Sequence, residues 1–90
     1  MIDNIIINDL NKKIMNERRK WGFSRKKLAK RCYIEEDTIK DIENGIYEEL
    51  NLNILINLSV ALEVSIFNFL RNDLTVKELK EIMRKENLFV

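Results

Sequence analysis

Apolar side chains return along this chain at steps of three and four residues, the spacing that lines one face of an α-helix. Leu10, Ile14, Arg18 and Trp21 share such a face and predict a first helix over about Asp9 to Lys20, with Trp21 read as a core residue. Gly22 then provides a residue able to leave the helix at positive φ. Ser24 is suited to cap a second helix that ends near Arg31, with Leu28 and Ala29 facing inward and Arg25, Lys26, Lys27 and Lys30 facing outward. A third helix is predicted from about Glu35 to Asn44. Ile39 and Ile42 are its apolar contacts, its first turn is acidic as the helix dipole favours, and Gly45 ends it.

Asn51 caps a fourth helix whose Leu52, Leu55, Leu58 and Leu62 form a continuous stripe, with Ile54 and Ala61 beside it, ending near Glu63. Ser65 caps a fifth helix or turn carrying Ile66, Phe67, Phe69 and Leu70. Thr75 and Glu78 form a T-x-x-E capping box, with Leu74 and Leu79 placed as a hydrophobic staple. They open a last helix to about Asn87 with Leu79, Ile82 and Met83 on its buried side. Residues 1–8, rich in isoleucine (Ile2, Ile5, Ile6, Ile7), fit a short strand, an apolar arm or an early start to the first helix.

Composition supports an all-α chain of one domain. There is no proline, only Gly22 and Gly45 are glycine, and no apolar run approaches the length of a membrane span. No Lys or Arg precedes the first apolar residues, so the N-terminus does not read as a signal peptide and a cytoplasmic protein is expected. The single cysteine, Cys32, leaves no internal disulfide, and the lack of histidine removes the usual metal ligand and general base. The 15 Asp and Glu residues fall in no paired-carboxylate motif, and no glycine-rich phosphate loop accompanies them. Neither an enzyme nor a cofactor is expected.

The net charge of +1 conceals two opposed blocks. From Lys12 to Arg31 there are ten basic residues and one acid, Glu17; from Cys32 to Glu63 there are eight acids against Lys40 alone. The first block suits phosphate neutralisation and the second opposes it.

The stretch from Phe23 to Gly45 resembles the helix-turn-helix of the Cro/C1-type (XRE) family of phage repressors. Ala29 is small where the two helices cross, Ile34 plugs the turn, and Ile39 and Ile42 seat the second helix. Ile42-Glu43-Asn44-Gly45 matches the family's I-E-N-G signature, Asn51-Leu52 to Leu62 its fourth helix, and Val64-Ser65 the start of its fifth, so that about Leu10 to Leu70 fits. The resemblance implies a five-helix, repressor-like bundle over residues 9–71, with residues 72–90 as an additional C-terminal helix able to serve in dimerisation. It also implies a structural ion pair between Arg18 and Glu43.

By the same resemblance the third helix enters the major groove of double-stranded DNA, presenting Glu35, Glu36, Asp37, Lys40 and Asp41, while Arg25, Lys26, Lys27 and Lys13 contact phosphate. A transcriptional repressor acting as a homodimer follows, with Leu79, Ile82, Met83, Leu88 and Phe89 as dimer contacts. The alternative for these apolar ends is packing on each other or on the core. This sequence departs from the family where four of the five groove-facing residues are acidic and the loop after Gly45 reads Ile46-Tyr47-Glu48-Glu49. Carboxylates desolvated beside phosphates are unfavourable, which supports a second reading, a fold turned to binding a protein partner with a basic surface.

Overall fold

The computed structural model describes residues 9–71, 73 and 75–85. Helices α1 (Leu10–Lys20), α2 (Arg25–Cys32), α3 (Glu36–Glu43) and α4 (Leu52–Leu62) are followed by a 3₁₀ turn (Ile66–Asn68) and α5 (Val76–Lys85). This is the all-α, repressor-like helix-turn-helix bundle with an additional C-terminal helix that the sequence predicts. The fifth element, open between helix and turn in the sequence, is a single 3₁₀ turn. The arm at residues 1–8, Leu74 of the staple, and Leu88 and Phe89 lie outside the described residues.

Local chemistry starts most of these helices. Ser24 accepts from the backbone N–H of Lys27, Asn51 from that of Ile54, and Ser65 from that of Phe67. The capping box is complete: Thr75 Oγ1 accepts from the Glu78 N–H at 3.1 Å, and Glu78 Oε1 accepts from the Thr75 N–H at 3.2 Å. That backbone donor first, and the Arg71 guanidinium next, hold the Glu78 carboxyl below the usual carboxylate range.

The first four helices end in one way. After each, a residue at positive φ (Gly22, Tyr33, Gly45, Glu63) turns the chain. The following N–H then reaches back across the last turn, from Phe23 to Arg18, Ile34 to Ala29, Ile46 to Asp41 and Val64 to Ser59, at 2.8 to 3.1 Å. Each is the wider bond of a Schellman motif, and each donor is apolar, as the motif favours. Phe23, Ile34 and Val64 are thereby folded onto the core. Glycine fills two of the four positions at no steric cost; Tyr33 and Glu63 occupy the left-handed region with a Cβ.

The core is formed by Leu10 and Ile14 of α1, Leu28, Ala29 and Cys32 of α2, Ile39 and Ile42 of α3, the leucine stripe of α4, and Leu50, Phe69 and Leu70 from the connections. Ala29 is buried in this core, and α2 and α3 pack directly on one another. Cys32 and Asn57 join α2 to α4 reciprocally, Asn57 Nδ2 donating to the Cys32 carbonyl at 3.3 Å and Cys32 Sγ to the Asn57 carbonyl at 3.8 Å. Burial pushes the Cys32 thiol up to about 11 from an ordinary 9.0. Among the described residues, no helix is long and apolar enough to cross a membrane.

Two predictions follow from helix ends and core. Glu63→Gly removes both a left-handed Cβ and a negative charge at the negative end of α4, and is expected to raise unfolding stability by about 1 kcal/mol in urea melts. For Cys32, the native pKa lies above the unfolded one, so its contribution is complete below pH 9 and is lost as pH rises towards 11. The stability difference between the wild type and Cys32→Ala should therefore shrink over that interval, while a constant difference would contradict the burial of the thiol.

Candidate nucleic-acid interface

The site is built on the α2–α3 pair. Tyr33, at φ 57°, reverses the chain between the helices, and Ile34 closes the corner beneath it. Ile39 and Ile42 are fully buried, so the opposite side of α3 must face solvent: Glu36, Asp37 and Lys40 are exposed and Asp41 is half-exposed, with Glu35 exposed just ahead of the helix. All five residues expected on the groove side thus lie on the outer surface. Tyr33 itself is 92% exposed at the tip of the turn.

Glu43, at the end of α3, is the polar centre of the assembly. Its side chain has no exposed surface. Arg18 grips it with both prongs, Nε to Oε2 at 2.7 Å and Nη2 to Oε1 at 3.1 Å, while its remaining Nη1 donates to the Phe23 carbonyl at 2.9 Å. The Arg18–Glu43 contact is the one the sequence resemblance implies. Arg25 adds what the sequence did not signal: its Nε donates to Glu43 Oε1 at 3.0 Å. The residue expected to contact phosphate is therefore held at its inner edge by α3, with 37% of its side chain exposed.

Lys26 and Lys27 are exposed at the start of α2. Lys27 and Arg31 lie over the Phe23 ring, 5.6 and 4.6 Å from its centroid, and Trp21 stacks on the same ring at 5.8 Å. Trp21, expected in the core, is 44% exposed and donates its indole N–H to the Leu62 carbonyl at the end of α4. The helical repeat aligned it with Leu10 and Ile14, but the residue lies past the last turn of α1, where the chain has begun to leave the helix. Lys13 stands apart from α2, donating to the Asn68 carbonyl of the 3₁₀ turn.

Three of the expected dimer contacts fall elsewhere. Leu79, Ile82 and Met83 are half-buried against the core of their own chain, and Arg71 ties α5 to the preceding segment through Glu78 at 2.6 Å. A cleft of about 680 Å³ runs beside α1, lined by Lys13, Asn16, Lys20, Val64 and Asn68 among others. Among the described residues, no three or more Cys, Asp or Glu side chains are grouped so as to hold a metal ion.

This arrangement of α1 to α4 is a helix-turn-helix fold, and solved structures share it. The N-terminal DNA-binding domain of the master biofilm regulator SinR from Bacillus subtilis matches with a TM-score of 0.62 at 21% identity, over 74% of this chain and 97% of that one. A SinR–SinI protein complex matches with a TM-score of 0.64 at 20% identity, over 90% of this chain and 82% of that one. A hypothetical transcription factor, NHTF from Neisseria, matches with a TM-score of 0.64 at 18% identity, over 92% and 96% of the two chains. No family model and no curated protein matches the sequence.

The Glu43 centre makes a separable prediction. Glu43→Ala leaves two guanidinium groups without their buried carboxylate and should cost about 3–5 kcal/mol, whereas Glu36→Ala, on the exposed side of the same helix, should stay within about 0.5 kcal/mol. Equal effects of the two substitutions in denaturant melts would remove Glu43 from its central place.

Proposed function

We propose that this chain is a DNA-binding regulator of transcription, a cytoplasmic, non-enzymatic repressor that docks on duplex DNA through the α2–α3 pair. The observation that carries this reading is the exposed pair Lys26 and Lys27 at the capped start of α2, beside Arg25. Cations and a helix N-terminus together form a phosphate-binding edge, and the Arg25–Glu43 contact sets that edge at a fixed position relative to α3. The DNA-binding domain and the transcription factor that share the fold support the same reading. Lys13, drawn to Asn68, is the least favourably placed of the four proposed phosphate contacts. In this reading α3 faces the major groove with Glu35, Glu36, Asp37, Lys40 and Asp41. Its carboxylates select by accepting from cytosine amino groups and by repelling sites that bring phosphate near. Homodimerisation through α5 and the residues after it would set the spacing of two half-sites.

A second reading is favoured by the exposed acidic side of α3, a surface suited to a basic protein partner. One solved structure of this fold is itself a complex between two proteins.

Selection from a random duplex pool across a salt series separates the two. Under the first reading a two-fold-symmetric site is enriched. Lys26→Glu with Lys27→Glu should weaken binding by more than about tenfold, and Lys26→Ala with Lys27→Ala should lower the log–log salt slope by about 2. No retention of DNA at low salt would leave the protein-binding reading in its place.

A further inference from the structure

The two charge blocks of the sequence remain apart in the folded chain. Helices α2 and α3 pack directly on one another. Yet among the described residues none of Glu35, Glu36, Asp37, Asp41, Glu48 and Glu49 forms an ion pair, and neither do Lys26, Lys27 and Lys30 of α2. All nine except Asp41 are exposed. The carboxylate of this segment that does meet α2 is Glu43, and it is buried inside the pair. The exposed surface of α2 is thus cationic, that of α3 and the loop after it is anionic but for Lys40, and no ion pair joins the two among the described residues.

We infer that this divided surface binds a second copy of the chain, in a two-fold contact in which the α2 lysines of each protomer face the α3 carboxylates of the other. Three features select a second copy as the occupant. Each protomer carries both halves on adjacent helices, so one two-fold rotation satisfies both sets of charges and closes the assembly. The net charge of +1 leaves almost no overall repulsion between copies to oppose their approach. Every copy presents the same three α2 lysines and the same larger set of carboxylates, so each half meets opposite charge on every other molecule of the protein. This contact is separate from the α5 interface and does not depend on DNA binding; where DNA is bound, phosphate and the second copy compete for Lys26 and Lys27.

Sedimentation of the full chain tests this directly. The mass measured at about 20 mM salt should be twice that at about 500 mM, with the association at least about tenfold weaker at the higher salt because the charges are screened. Glu36→Lys with Asp37→Lys should abolish the doubling, as should Lys26→Glu with Lys30→Glu. Combining all four substitutions exchanges these facing charges between the two helices and should restore it. Glu36→Gln with Asp37→Asn, a milder change at exposed positions, should also lose the doubling while keeping the wild-type helical circular dichroism. A mass independent of salt, growth beyond doubling at low salt, persistence of doubling in either charge-reversed double variant, or failure of the folded four-fold variant to regain it would each overturn the inference.

Discussion

A single buried carboxylate holds α3 in place. Glu43 is cut off from solvent and would be untenable there alone, since an unpaired buried carboxylate is far costlier than any one packing defect in a domain of this size. Arg18 meets it with a two-pronged grip and Arg25 with a third bond, so α1, α2 and α3 are joined at one point. The remaining Arg18 donor is spent on the Phe23 carbonyl, which fixes the connection between α1 and α2 as well. Replacing such a centre by well-packed apolar residues can be neutral or stabilising, so its value lies in geometry. It sets the register of α3 against the start of α2, the relation on which any docking by this pair of helices depends.

What was legible in the sequence was local. Ser24, Asn51 and the Thr75–Glu78 box act within one helical turn, and their residue types announce them wherever they occur. The two glycines were equally plain as helix ends. Tyr33 and Glu63 perform the same turn without the signal, because the strain of a left-handed Cβ is tolerated once Ile34 and Val64 are buried beyond it. The third bond to Glu43 was not legible for another reason. Arg25 reads as one more outward cation of a basic helix, and its role emerges only when residues 18 positions apart are brought together.

The candidate interface shows the same division between pattern and placement. The family resemblance named Glu35, Glu36, Asp37, Lys40 and Asp41 as the residues presented by the third helix, and they lie on its outer side because Ile39 and Ile42 are buried. It did not separate Lys13 from the α2 cations, since a charge run along a sequence carries no information about which face each member reaches. The half-buried Leu79, Ile82 and Met83 are a comparable case: an apolar stripe on a terminal helix is the same pattern whether it covers its own core or a neighbour's.

Trp21 gives the molecule a built-in optical reporter. It is the only tryptophan in the chain, and its indole N–H is fastened to the last turn of α4 while its ring rests on Phe23 at the entrance to α2. Its emission therefore arises from the junction of three helices and from nowhere else. A loosening of α1 from α4 would register in its colour and intensity without any label, and so would an event on α2 that displaces Phe23, even if every helix stayed intact.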